Sequence, residues 1–435
     1  MRWLVIAAAV LLLAVALDLG LLAYAMYALI GVIVVSRQLA DAWSTSLAAV
    51  REVNRNRVKI GESIAVVITL ENRGRLPVPW LLLEDLLPRR ALMFEPPNLK
   101  VVGRRLQLVS FHGRARKTVL YQVTCNRRGY YQLGPLVAET GDVFGLYRRY
   151  RVLTEPTFVL VVPEVIPLAG YDIASRRPLG EVRMTHRLFE DPTRIAGVRQ
   201  YQAGDPLNRI HWGATARTAM LHSKVYEPST VAGATILLDF HEQSFVAKDE
   251  PVRSELAVTA AASIAGATCE MGQQVGLATN GRDAADRIRT EGWSHEQLYN
   301  RKAALAAGMR DKSERLRPII VPTNNSPTQL RLILETLGRV EKTDGLTFPQ
   351  LVHESSSRLP RSATVIAILT TATPADALAL GGLRRRGLAV TAIINVYDEY
   401  DFARLAGPLV AQQIDVRHLR DRAAIPHVCL RAIAR

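Results

Sequence analysis

"GATILLDF", Gly233–Phe240, is a short apolar run closed by Asp239. "ELAVTAAASIAGATCEMG", Glu255–Gly272, follows with helical spacing and small residues on one face. "QVGLATNG", Gln274–Gly281, is a second buried strand. The alternation continues with a helix over "SPTQLRLILETLGRV", Ser326–Val340, where Ser326 is a plausible cap and Pro327 stands at the first helical position. A third strand is "SATVIAILTTAT", then a helix "PADALALGGLRRRG", then a fourth strand "LAVTAIINV". Near-continuous apolar strands separated by helices spell a parallel α/β sheet over residues 233–435. In such sheets ligands bind at the carboxyl ends of the strands, which puts Asp239, Thr370 and Thr371 on one rim.

Upstream the period changes. "RVKIGESIAVVITLENRG", Arg57–Gly74, alternates apolar and polar residues, the mark of half-buried strands. "RRLQLVSF", "KTVLYQVTC", "YYQLGPLVAET" and "TFVLVVP" repeat it between Gly, Pro and Asn. This spacing predicts an all-β sandwich over residues 50–163. Residues 164–232, rich in Pro, Arg and Gly, read as a connector.

The first residues are different again. "WLVIAAAVLLLAVALDLGLLAYAMYALIGVIVVS", Trp3–Ser36, carries one charge, Asp18. A bilayer span needs about 20 apolar residues. The segment is either a tight hairpin of two short helices turning at Asp18–Gly20, or a cleaved signal peptide followed by one span. No Ala-x-Ala site backed by a polar region supports cleavage, so a transmembrane hairpin over residues 1–40 is expected. Arg2 precedes it, and Arg37, Arg51, Arg55, Arg57 and Lys59 follow, while the turn has no Lys or Arg. That asymmetry predicts both ends on the cytoplasmic side of an inner membrane.

The 435-residue chain has a formal net charge of +15. Between Arg51 and Leu160, nineteen Lys/Arg face nine Asp/Glu. Basic charge beside a span is attracted to anionic lipid. Aromatics are only 6% and do not interleave with the basic residues, so nucleic acid is not the expected partner. Cys125, Cys269 and Cys429 are too few and too scattered for a disulfide framework or a zinc site.

Two motifs concentrate the unusual residues. One is "YQAGDPLNRIHWGATART", Tyr201–Thr218; the other is "RRGYYQLGPLVAETGDVFGLYRR", Arg127–Arg149. In the first, Gly204 and Asp205 form a turn, and "RIHWGATAR" makes one or two helical turns. Arg217 can then pair with a carboxylate such as Asp205 while Trp212 buries its ring. Three readings stand: a polar clasp between domains, a protein-docking surface, or a catalytic site. His211 is the only base candidate, and no Ser or Cys is visibly paired with it. There is no P-loop, GxSxG, HExxH or GxGxxG.

With these motifs the chain resembles the bacterial family called domain of unknown function 58. Its pattern is matched by Arg128, Gly129, Tyr131, Leu133, Gly134 and Pro135, and by Asp142, Phe144, Gly145 and Leu146. The third block is matched by Tyr201, Gly204, Asp205, Arg209, Ile210, Trp212, Ala216 and Arg217, with Lys224 a little beyond. Val143 stands where the family usually has Pro. The resemblance implies a β-sandwich followed by a von Willebrand factor A-like, Rossmann-like α/β domain behind a membrane hairpin. It also implies a MoxR-type AAA+ ATPase as partner in a chaperone-like assembly.

Domains of the von Willebrand class often hold Mg²⁺ through Asp-x-Ser-x-Ser after the first strand. Here Asp239 is followed by His241 and Gln243 where the serines belong, and Ser244 comes one place late. The metal site is expected to be degenerate, with Asp239 its only strong candidate and no other cofactor. The expected role is a membrane-anchored, non-enzymatic scaffold. The alternatives are a metal-dependent adhesion or ligand-binding module, and a hydrolase using His211 or His241.

Overall fold

The computed structural model describes residues 2–93, 96–169, 190–202, 210–228, 233–286, 316–360 and 363–430. The chain forms two compact units. One holds residues 1–164 with 281–316 and 334–345; the other holds 165–280, 317–333 and 346–435.

The first unit opens with helices α1 (Arg2–Ala16) and α2 (Gly20–Ser46), which are in contact. Asp18 turns the chain between them at φ +55°, and the Leu19 N–H donates to the Ala14 carbonyl at 2.9 Å. With 27 residues and a mean hydropathy of 1.8 over its best window, α2 is long and apolar enough to cross a membrane. At 15 residues α1 falls short of the usual span of about 20.

The far end of α2 enters a β-rich core, where Ala40 and Trp43 are buried. Two four-stranded antiparallel sheets share that core. The first runs in the order β1 (Leu47–Val53), β3 (Ser63–Asn72), β7 (Arg116–Cys125), β5 (Leu99–Gly103). The second runs β10 (Arg148–Thr154), β9 (Leu136–Gly141), β4 (Val78–Asp85), β6 (Leu106–Phe111). Along β3, Ile64, Val66, Ile68 and Leu70 alternate inward, so the period of two read from the sequence is a burial pattern. Leu81, Leu83, Val109, Phe111, Leu136 and Ala138 belong to the same apolar cluster.

A third sheet joins β2 (Arg57–Lys59), β11 (Thr157–Val162) and β8 (Gly129–Leu133). A single helical turn, α3 (Arg89–Met93), precedes β5. Two short strands from much later in the chain, β16 (Arg282–Asp283) and β18 (Val340–Glu341), pair with each other in this unit.

The second unit begins with an irregular antiparallel pair, β12 (Glu190–Gln200) and β13 (His222–Pro228), with helix α4 (Trp212–Thr218) between them. These lie in the segment read as a connector. Its strands escape a periodicity search because their pairing is bulged near Ile195.

Six strands follow in one sheet: β17 (Ile319–Asn324), β15 (Gln274–Thr279), β14 (Gly233–Leu238), β19 (Ala363–Leu369), β20 (Val390–Ile394), β21 (Asp415–His418). The expectation of a parallel sheet needs correction. β17 runs antiparallel to β15, so the sheet is mixed; the other pairings are parallel.

Both faces of the sheet are covered. Leu237, Val365, Ala367, Leu369, Ala392 and Ile394 pack with α7 (Phe348–Ser355), α8 (Pro374–Arg385) and α9 (Glu399–Ala411). The alternate residues Ile236, Leu238, Ile366 and Ile368 are also fully buried, and helix α5 (Val252–Glu270) contacts the strands that carry them. Helix α6 (Gln329–Arg339) starts three residues after Ser326, whose carbonyl accepts the Gln329 N–H at 2.9 Å.

Candidate functional site

The strand order decides where a site can form. From β14 the chain goes to β15 on one side and later to β19, β20 and β21 on the other. The carboxyl ends of β14 and β19 therefore flank the point where the order reverses, the place open α/β sheets use for ligands. Asp239 leaves β14 there, and Thr370 leaves β19; both are buried.

The surroundings of Asp239 are polar and closed. Its Oδ1 accepts from Asn280 Nδ2 at 2.8 Å and from the His241 N–H at 3.2 Å, and the Ser244 hydroxyl adds a third bond. Asn280 has a fixed orientation, because its Oδ1 accepts the Phe240 N–H at 2.6 Å and its Nδ2 also reaches the Leu346 carbonyl at 2.9 Å. Burial pushes the Asp239 carboxyl above its ordinary value, and the charge of Asp376 adds to that push. Asp376 itself is occupied in a capping box, with Oδ2 2.7 Å from Thr373 N and 2.8 Å from Thr373 Oγ1.

These donors do not fit a divalent cation. Mg²⁺ wants several oxygen ligands in an octahedron. Here two N–H donors already face the oxygen that would coordinate it. His241 Nδ1 accepts from the Gln243 N–H at 3.2 Å. No group of three His, Cys, Asp or Glu suited to a metal occurs among the described residues. Farther along the rim, Arg253 on α5 donates to Asn395 Oδ1 at 2.9 Å and to the Arg420 carbonyl at 2.8 Å, and stacks on the Tyr397 ring. Neither Asn280, Asn395 nor Arg253 was singled out by sequence. A lone amide or guanidinium in an apolar run carries no spacing signal.

The first motif is only partly in view. Gly204, Asp205 and Arg209 lie outside the described residues. The Tyr201 N–H donates to the Leu221 carbonyl at 2.8 Å, Ile210 is buried and bridges to Ser223, and Lys224 pairs with Val198 across β12 and β13. His211 is the N-cap of α4, its Nδ1 accepting the Ala214 N–H at 2.9 Å. That use leaves it a cap and gives it no nucleophile to activate.

The expectation that Trp212 buries its ring is overturned: it is 68% exposed. Ala216 and Arg217 are exposed too, and α4 buries none of its residues. Ile210 makes the apolar contact instead, so the short helix presents its side chains outward.

The second motif is a buried polar framework in the first unit. Arg51 pairs with Asp85 through two bonds, Nη2–Oδ1 at 2.6 Å and Nε–Oδ2 at 3.2 Å, and Tyr121 donates to Asp85 Oδ2 at 2.6 Å. Arg51 Nη1 also reaches the carbonyls of Leu133 and Glu155. Gly134, at φ +85°, makes room for this guanidinium: an added Cβ would lie 2.1 Å from Arg51 Nη2. The Gly134–Pro135 bond is cis. Arg128 Nη1 donates to the carbonyls of Leu337 and Val340 at 2.7 and 3.0 Å. The Tyr131 hydroxyl folds back to the Arg127 and Arg128 carbonyls, in space that only Gly129 leaves free.

The motif ends in a turn organised by Asp142. Its carboxylate accepts the N–H groups of Phe144 at 3.0 Å and Tyr147 at 2.6 Å, with Gly145 at φ +72° between them. Burial pushes this carboxyl up, but the N–H groups of Tyr147, Leu146 and Phe144 and the Ser36 hydroxyl together hold it below its ordinary value. Phe144 is 70% exposed. Burial pushes the Cys125 and Cys429 thiols up to about 12, which makes these two unreactive.

An N-terminal apolar helix, antiparallel sheets and a mixed α/β sheet with buried polar groups along its rim define a multidomain protein, with no nucleophile and base assembled among the described residues. The family described as "Protein of unknown function DUF58" matches residues 197–365 of this chain. The "Uncharacterized protein YeaD" of Bacillus subtilis (strain 168) is 25% identical over 263 residues, 60% of this chain; the match spans 63% of that protein's length. Proximal thread matrix protein 1 from the mussel byssus aligns at a TM-score of 0.30 and 10% identity, covering 46% of each chain. The PapD-like domain 7 of human CEP192 aligns at 0.18 and 14% identity, covering 26% of this chain and 84% of that one. Scores this low establish no shared fold.

Proposed function

We propose that this protein is a membrane-anchored, non-enzymatic scaffold that offers its α/β unit to a protein partner. In this reading the two antiparallel sheets are a β-sandwich, and the mixed sheet is a von Willebrand factor A-like, doubly wound domain. The order 2-1-3-4-5 of its five parallel strands supports that assignment. The basic residues after α2 support a cytoplasmic side of an inner membrane for the domains. The partner is an ATPase of the MoxR-type AAA+ class, as the family resemblance implies.

The observation that carries the reading is α4. Within the family-matched stretch it displays Trp212 and Arg217 to solvent, and exposed Trp and Arg are the residue types that anchor protein interfaces. Crosslinked pull-down of the full-length protein from its own membranes, with and without ATP, tests it. Nucleotide-dependent recovery of an AAA+ ATPase is expected, and Trp212→Ala or Arg217→Ala should abolish it. Both residues are exposed, so each change should shift stability by no more than about 0.5 kcal/mol. Absence of any ATPase from a folded, inserted preparation sinks the partner.

One observation favours a metal-dependent ligand-binding module instead: Asp239 stands where the strand order reverses. Its donors oppose that reading. A Mg²⁺ titration that stabilises the protein but not its Asp239→Ala variant would reinstate it.

A further inference from the structure

The Asp142–Tyr147 turn raises a question that the scaffold reading leaves open. Val143 and Phe144 are each 70% exposed and Leu146 is 52% exposed, three apolar side chains on one tight turn. Water is a poor solvent for such a cluster, and contiguous exposed apolar surface marks contact with something else.

The place of the turn says what that is. It is fixed to α2 inside the first unit. The Ser36 hydroxyl of α2 bonds the Asp142 carboxylate, Arg149 pairs with Asp41, and Arg151 donates to the carbonyls of Ser44, Thr45 and Leu47 at the end of the helix. Between turn and helix lies a recess of about 250 Å³, lined by Ala28, Val32, Val35, Leu39, Val143 and Phe144. Ser36 stands sixteen residues after the start of α2, about 24 Å along the axis at 1.5 Å per residue. The hydrocarbon core of a bilayer is about 30 Å thick. If α2 spans from Gly20, Ser36 lies about 6 Å inside the far border of the hydrocarbon, so the turn beside it reaches the edge of the acyl chains. The nearby charge agrees, since Arg37, next to Ser36 on α2, and Arg148, at the start of β10, are both exposed, Arg148 with Glu139 at 3.5 Å. The one acid of the turn, Asp142, is buried and spends its oxygens on backbone N–H groups.

We propose that the Val143–Leu146 turn is a second membrane contact. Its apolar tip enters the headgroup–acyl boundary beside α2, and Arg37 and Arg148 meet anionic lipid phosphates. The turn thereby fixes the tilt of the sheet unit against the bilayer, because a helix alone leaves rotation and tilt free. The proposal rests on the membrane-anchored reading.

Nitroxide labels test it in the full-length protein, reconstituted in vesicles of phosphatidylcholine and phosphatidylglycerol. Cys125 and Cys429 are buried, so Cys269→Ser gives a background in which Phe144→Cys, Tyr24→Cys or Leu108→Cys can be labelled. Tyr24 is an exposed position on α2, and Leu108 is exposed on β6, at the opposite edge of the sheet from β10. Collision rates with oxygen and with a nickel chelate report lipid and water respectively. The label at 144 is expected to favour oxygen, at a ratio between those at 24 and 108. A water-like ratio at 144 with a lipid-like ratio at 24 overturns the proposal and leaves the anchor intact. A water-like ratio at 24 overturns the anchor and the proposal together. Shielding of 144 from both reagents overturns the proposal in favour of a protein cover.

Discussion

Asp239 is a carboxyl held by an amide, a backbone N–H and a hydroxyl, with no cation beside it among the described residues. Its folded-state value is raised by burial first and by Asp376 last. A raised carboxyl binds its proton more tightly in the folded chain than in the unfolded one. Its contribution to stability is therefore complete below the unfolded value of about 3.9 and is lost as pH rises through the folded value. Asp239→Asn keeps the shape and removes the titration. The variant should gain stability relative to the parent as pH rises from about 4 to 7. Thermal unfolding midpoints of both proteins across that range check it; a constant difference would mean that the carboxyl titrates alike folded and unfolded, and a parent that gains on the variant would show that the site prefers the anion. The same group was legible in the sequence as the end of an apolar strand. Asn280, which orients it, was not, because it comes from the next strand and only the parallel pairing brings the two ends together.

At the scale of elements, Gly134 joins two features that sequence reading kept apart. The motif around it was legible as a strand between glycine turns, and β8 and β9 follow that reading. Its reason was not, since Arg51 and Asp85 lie far upstream and form no pattern with it. Of the Asp205–Arg217 clasp, Asp205 lies outside the described residues and Arg217 is exposed; the buried Arg51–Asp85 pair is a separate feature inside the first unit. Gly134→Ala would meet both a φ of +85° and a guanidinium 2.1 Å from the new Cβ. Arg51 cannot retreat without breaking its pair with Asp85, so the cost should be about 3 kcal/mol or more, as for breaking a buried ion pair. Chemical denaturation of the variant measures it. A loss under about 1 kcal/mol would mean that the guanidinium relocates freely. Strands with strict alternation, such as β3, were read correctly because one face is buried and the other wet. β12, β13, β17 and β21 were missed, being bulged, short or at sheet edges, where the alternation carries little burial.

For the whole molecule the question is which force holds it to the bilayer. Two candidates act on the first unit: the apolar length of α2, and the excess of nineteen basic over nine acidic residues between Arg51 and Leu160. They respond differently to salt. At about 1 M ionic strength the Debye length shrinks to about 3 Å, and attraction between surface arginines and lipid phosphates is largely screened. The hydrophobic term is not weakened by salt, and a helix that crosses the bilayer keeps every backbone polar group bonded within itself. If α2 spans, membranes washed with concentrated salt and then with alkaline carbonate should retain the protein, and only detergent should release it. If the basic surface is the main attachment, the salt wash alone should bring most of the protein into the supernatant. Immunoblotting of pellet and supernatant after each wash separates the two. Release by salt would also remove the basis for placing the Val143–Leu146 turn at the lipid boundary, since its depth is measured from α2.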